Sequence, residues 1–214
     1  MVIAVQSQPS SEALASRMVL QGISWQTYRA LVRELEPQAG KRLTYDNSLL
    51  EIWMPLPPHE IYKRRLGRLI EIVTEVLNIE IASLSSATWS RADLAKGVEA
   101  DECYYIQNEA AVRGRLTIDL TVDPPPDLAI EIDITSLSLP RLPIYAALGI
   151  PEVWQFDGEQ VIFLQLNQDG YSQVSQSIAL PRLTQDVVQH WLMQSLQMGE
   201  TSWAKALRRW AESV

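Results

Sequence analysis

Strand-like and helical hydrophobic patterns interleave along the chain, which predicts one α/β domain with a mixed central sheet flanked by helices. Three observations carry that prediction. The stretch PPPDLAIEIDIT, Pro124 to Thr135, alternates Leu128, Ile130, Ile132 and Ile134 with polar or small residues, the period of a strand. HEIYKRRLGRLIEIVTEVL, His59 to Leu77, carries Ile61, Leu66, Leu69, Ile70, Val73, Val76 and Leu77 on helical spacing and is the longest amphipathic helix in the chain. Towards both ends, strand patterns flank short turn sequences, which makes hairpins and therefore antiparallel pairs beside any parallel ones.

Taken in order, residues 1–20 read as a flexible arm, and residues 21–214 as the single domain. The opening MVIAVQSQPSSEALASR lacks the basic segment and apolar run of a signal peptide. SWQTYRALVREL, Ser24 to Leu35, is a helix with Ser24 as its cap. KRLTYDNSLLEIWM, Lys41 to Met54, is two strands turning at Asp46, Asn47 and Ser48. Pro55 to Pro58 ends the second strand before the long helix.

IEIASLSSATWS then reads as one strand, RADLAKG as a polar turn, EADECYYIQN as another strand, and LTIDL as a further candidate. After the Leu128–Ile134 strand, SLPRLPIYAALG is a helix interrupted near Pro140 and Pro143 and stopped by Gly149. PEVWQF, QVIFLQL and YSQVSQSI are three strands joined by DGE and NQDG turns, and two helices follow from about Thr184.

Composition removes several function classes. A chain of 214 residues with 47% apolar content buries one sizeable core. No window approaches eighteen unbroken apolar residues, so no membrane span is expected. Cys103 is the single cysteine, which rules out an intrachain disulfide and a cysteine-based zinc site; the cytoplasm is the expected compartment. His59 and His190 are the two histidines, too few for a histidine-rich metal centre. With 18 Lys and Arg against 26 Asp and Glu, a net charge of -8 argues against binding nucleic acid through bulk charge, and leaves room only for a local basic surface.

The carboxylates carry the chemistry. Same-face neighbours on a strand stand roughly 7 Å apart, so Glu131 and Asp133 can converge, and Asp101 can join them from a neighbouring strand whose same face holds Cys103 and Tyr105. Carboxylate oxygens converging on one point at about 2.1 Å suit Mg²⁺ and relieve the repulsion of like charges. Solvated carboxylates on an open sheet face, or capping groups near a strand end, explain the same spacing. His59 is a candidate for a catalytic or metal-shell role, Glu51 and Glu60 for further acids. Lys63, Arg64, Arg65 and Arg68 are candidates for phosphate contacts, with a solvated helix face as the alternative.

EADECYYI, PPPDLAIEIDIT and RLPIYAALGIPEVWQFDG, in that order and after LEIWMPLPPHE, resemble the Uma-type family of restriction-endonuclease-like proteins in the PD-(D/E)xK nuclease superfamily. The resemblance covers about Arg42 to Leu166. It implies a restriction-endonuclease-like core in which Asp101 and Glu131 bind a divalent metal, Mg²⁺ or Mn²⁺, that activates water against a phosphodiester. Two positions depart from the superfamily pattern. Ala100 replaces the proline before the first acid, and Asp133 replaces the lysine two residues after the second. Arg141, four residues before Tyr145, matches the basic position of the Uma-type pattern; with a pKa above about 12 it stabilises charge and is a poor base.

The reading is a metal-dependent endonuclease acting on DNA. Its alternative is a catalytically weak or inactive member of the same fold that binds nucleic acid or protein. A glycosidase built on the carboxylate pair comes third, because nothing like a sugar platform accompanies the pair. The closing WAKALRRWAESV, with Trp203, Leu207 and Trp210 on one face, is expected to dock on the domain or on a second copy, as in a homodimer, rather than on a membrane.

Overall fold

The computed structural model describes residues 17–35, 40–134 and 139–214. They form two sheets and six helices. Strands β1 (Arg17–Leu20), β2 (Arg42–Asp46), β3 (Leu49–Trp53), β5 (Thr88–Arg91) and β6 (Lys96–Glu99) make an antiparallel sheet in the order β1-β3-β2-β6-β5. Strands β4 (Ala82–Ser85), β7 (Glu102–Tyr105), β8 (Leu128–Ile132), β9 (Glu152–Phe156), β10 (Val161–Asn167) and β11 (Gly170–Val174) make the mixed central sheet, ordered β11-β10-β9-β8-β7-β4. Its parallel pair is β8 with β9, joined by a crossover through helix α4 (Leu142–Leu148), as parallel neighbours require. The other helices are α1 (Trp25–Leu35), α2 (Pro57–Val76), α3 (Glu109–Val112), α5 (Gln185–Gln197) and α6 (Glu200–Ala211). No helix among the described residues is long and apolar enough to cross a membrane.

Local chemistry sets most boundaries. Ser24 Oγ accepts from the Thr27 N–H at 3.1 Å and caps α1. Asn47 and Ser48, both at positive φ (45° and 72°), form the two-residue hairpin turn between β2 and β3. Pro57 opens α2, where its missing N–H costs nothing. Gly149, at φ 79°, closes α4.

Four expectations need correction. Arg17–Leu20 is an edge strand paired to β3 rather than part of an arm; residues 1–16 lie outside the described residues. LTIDL forms no strand, because Asp119 Oδ1 accepts from both the N–H and the hydroxyl of Thr121 and turns the chain there. The strand at Leu128 ends at Ile132. Finally, IEIASLSSATWS and EADECYYIQN are each split between the two sheets.

That split organises the molecule. Residues 82–105 form one long hairpin whose register never changes, from Ala82↔Tyr105 and Ser85↔Glu102 to Thr88↔Glu99 and Arg91↔Lys96. Between these halves the Ser86 N–H donates to the Asp101 carbonyl (3.1 Å) and the Ala100 N–H to the Ala87 carbonyl (3.2 Å). Ser86 takes a left-handed φ of 51°, and the ribbon bends there, so that each half enters a different sheet. Asp101 sits at the bend.

Both faces of β8 are buried. Leu128, Ile130 and Ile132 pack with Leu66, Leu69, Ile70 and Val73 of α2 and with Leu192, Trp203 and Leu207 of the C-terminal helices. Ala129 joins a second core with Cys103, Tyr105, Ile144, Tyr145 and Leu148. A third core, Tyr28, Leu43, Tyr45 and Leu50, holds α1 on the antiparallel sheet, with Tyr28 stacked on Tyr45 at 4.7 Å. Gly97 of β6 makes this seating possible, since a Cβ there would lie 2.2 Å from the Tyr28 hydroxyl and 2.6 Å from Cζ. Gly97→Ala is expected to cost about 1–3 kcal/mol by overpacking and to lower the thermal midpoint; an unchanged midpoint would show that α1 is not seated on β6.

Candidate active site

The site forms where the hairpin bend meets the end of β8. Asp101 is fully buried. Its Oδ2 accepts from the Ile132 N–H at 2.9 Å and lies 3.0 Å from His59 Nε2, on the first turn of α2. Its Oδ1 is buried without a hydrogen-bond partner, with Arg42 Nε 3.9 Å away. Burial works to raise this carboxyl. The His59 hydrogen bond and charge, Arg141 and the Ile132 N–H together bring it below the ordinary aspartate value, which favours the carboxylate form.

Glu131 follows from the register. Glu102 pairs with Ile130, and one further step places Asp101 beside Glu131. Glu131 is 2% exposed, which removes the solvated-face explanation for both acids. Tyr145 Oη donates to its Oε1 and Arg141 Nη1 to its Oε2. Burial pushes its carboxyl up to about 7; Arg141 pulls it down, and the neighbouring Asp101 adds to the rise.

Arg141 is the N-cap residue of α4 and is 3% exposed. Its guanidinium lies over the Trp53 ring, 5.0 Å from the centroid, while its Nε and Nη2 are buried without hydrogen-bond partners. The same Trp53 meets the His59 ring edge-on at 5.1 Å and so braces both residues. Asp133 lies one residue beyond β8; Gln155 Nε2 donates to its Oδ2 at 3.1 Å, and burial raises its carboxyl.

The structure thus gathers Asp101, Glu131, Arg141 and His59, with Asp133 at the margin. Of the further acids, Glu60 Oε1 is 3.3 Å from His59 Nδ1, whereas Glu51 pairs with Arg17 at 3.2 Å. On α2, Lys63 donates to Ser86 Oγ at 2.7 Å, while Arg64 pairs with Glu71 and both Arg65 and Arg68 with Glu200. Lys63 also lies 3.8 Å from Glu60 Oε2, so all four cations already have an ion-pair partner. Trp53 and Arg42 were not singled out by sequence, and Tyr145 served only to place Arg141. Arg42 Nη2 donates to Ser86 Oγ at 2.8 Å and Nη1 to Glu99 Oε1 at 3.1 Å, a buried cation that nothing in KRLTY distinguishes from a surface one.

Among the described residues no group of three or more His, Cys, Asp or Glu is arranged to hold a metal. The donor set nevertheless suits Mg²⁺, which takes one or two carboxylates and keeps several waters. Asp101 Oδ1 is a buried, unpartnered anionic oxygen, and Glu131 would add a second oxygen on giving up one of its two donors.

Residues 25–196 match the family Uma2, described as "Putative restriction endonuclease". No curated protein matches the chain. Among solved structures, a "putative nuclease belonging to DUF820" from Anabaena variabilis ATCC 29413 is 14% identical, with a TM-score of 0.45 over 70% of this chain and 90% of that one.

Proposed function

The chain belongs to the Uma2 putative restriction endonuclease family, and from that premise we propose that it is a metal-dependent nuclease hydrolysing phosphodiester bonds in DNA. One observation carries the reading: two buried carboxylates on adjacent strands, one with an open oxygen, stand beside a buried guanidinium with two unused donors. Asp101 and Glu131 are the residues that would hold Mg²⁺ or Mn²⁺. When bound, such an ion lowers the pKa of a coordinated water and polarises a phosphoryl oxygen.

The chain's own residues supply the remainder. Arg141 Nε and Nη2 match the paired oxygens of a phosphate, a fork that needs no proton transfer. His59 holds Asp101 in position and favours its carboxylate form, and the Ile132 N–H fixes the same carboxylate from the sheet. Asp133 contributes no cation where the superfamily has lysine, so Arg141 beside Glu131 and Arg42 beside Asp101 carry the positive charge of the site.

A second reading, a binding protein with a disabled nuclease site, draws on that same Asp133 and on the engagement of Arg141 with Glu131. Plasmid cleavage separates the two. The unmodified protein is expected to cut with Mg²⁺ or Mn²⁺ and not in chelator, and Glu131→Gln, purified identically, to lose at least 100-fold. Equal cutting by Glu131→Gln would overturn the assignment. If the unmodified protein cuts nothing while Asp133→Lys gains metal-dependent cleavage, the binding reading stands on an otherwise intact site.

A further inference from the structure

A cleft of about 1190 Å³ adjoins the site. It meets the active site where Arg42, Glu60 and Ser86 line it: the Ser86 N–H donates to the Asp101 carbonyl, and Glu60 reaches His59. We propose that this cleft is the path of a single unpaired polynucleotide strand into the site; the proposal rests on the nuclease reading for its substrate class.

Charge is the first argument. Trp25, Arg29 and Arg33 of α1 line the cleft at four-residue intervals, one stripe with a side chain about every 6 Å. Both arginines are exposed, and Arg29 donates to Ser90 Oγ at 2.9 Å across the cleft floor. Among the described residues neither arginine has an ion-pair partner, whereas Arg64, Arg65, Arg68 and Arg208 of α2 and α6 are each paired with a glutamate. The cleft's acids Glu60 and Glu99 both pair with Arg42, and Asp119 bonds Thr121. On a chain of net charge -8, two guanidinium groups without an ion-pair partner among the described residues, in register along this cleft, mark a local anion track.

The second argument selects the form of the strand. Residues 117–121 also line the cleft, and the two apolar residues flanking them are bare: Leu116 is 100% and Val122 81% exposed. A duplex presents phosphates and groove edges while its base faces stay stacked inside. An unpaired strand presents phosphates together with apolar base faces. A cleft that combines exposed arginines with the half-buried indole of Trp25, beside a loop that bares Leu116 and Val122 next to its lining residues, matches the unpaired strand.

Fluorescence anisotropy with a labelled 12-nucleotide oligo(dT) and a 12-base-pair duplex, both in EDTA, tests this without any cleavage. The unmodified protein is expected to bind the single strand more tightly. Arg29→Glu/Arg33→Glu should weaken that binding about tenfold or more, and the neutral Arg29→Gln/Arg33→Gln should reduce the slope of log single-strand affinity against log salt by about 1.4. Leu116→Ser/Val122→Ser should weaken single-strand binding alone. All three variants alter exposed side chains and should keep the wild-type unfolding transition. Preference for duplex, unchanged binding by the charge-reversed protein, or no binding of either oligonucleotide overturns the proposal. The two readings fail separately. Plasmid cleavage that survives Arg29→Glu/Arg33→Glu removes the cleft and keeps the nuclease, whereas arginine-dependent binding by a protein that, with Mg²⁺ or Mn²⁺, cuts neither plasmid nor single-stranded DNA keeps the cleft and removes the nuclease.

Discussion

Ile132→Asp is expected to abolish cooperative folding. Ile132 is 2% exposed at the end of β8, within the core that joins α2, the central sheet and the C-terminal helices. The core cluster around Ile132 is apolar, and the Arg141 and His59 side chains are engaged by Glu131 and Asp101. Burying a carboxylate there costs several kcal/mol even after it takes up a proton. A domain of this size has about 5–15 kcal/mol of stability in total. The variant should therefore be insoluble or melt without a sigmoidal transition by circular dichroism. Ile132→Val, at about 0.5–1.5 kcal/mol, should remain folded. Wild-type melting of Ile132→Asp would mean that the two faces of β8 are reversed and that Glu131 does not face the site.

Much of this arrangement is legible in the sequence because it depends on near neighbours. The alternation from Leu128 to Ile132, the Ser24 cap, the Asn47-Ser48 turn and the Gly149 stop each reflect contacts within a few residues, and each element lies where its pattern places it. The bend of the long hairpin is different. A kink at Ser86 and Asp101 leaves the alternation of IEIASLSSATWS and EADECYYIQN undisturbed, so no local pattern reports that each crosses from one sheet to the other. The acids show the same division. That Asp101 and Glu131 are candidates follows from their spacing and from the family resemblance. That both are buried follows from the layers packed over β8, which alternation alone does not reveal. Arg141 is the extreme case. The family pattern marks Arg141 as the basic residue of the site, but nothing in SLPRLPIYAALG reports its burial; Glu131, ten residues earlier and on another element, holds it inward.

That inward turn changes what Arg141→Ala should do. For an arginine that only clamped a substrate phosphate, its loss would lower cleavage and leave stability untouched, and on a solvated helix face it would change neither. Here it leaves Glu131 in the core with the Tyr145 hydroxyl as its remaining donor and takes the guanidinium off the Trp53 ring. Breaking a buried pair by removing one partner costs about 3–5 kcal/mol, because the surviving charge is uncompensated. Urea unfolding of the metal-free protein should show a loss of that size in Arg141→Ala. Arg141→Lys should fall between Arg141→Ala and the unmodified protein, since it keeps the charge but loses the planar fork and the stacking. The double variant Glu131→Gln/Arg141→Ala should recover part of the loss, because position 131 no longer carries a charge without its cation; partners in contact couple by about 0.5–3 kcal/mol. Were Arg141→Ala to unfold at the same urea concentration as the unmodified protein, the guanidinium would be in solvent. Glu131 would then need another cation, and the phosphate-clamping role of Arg141 would fall with the pair.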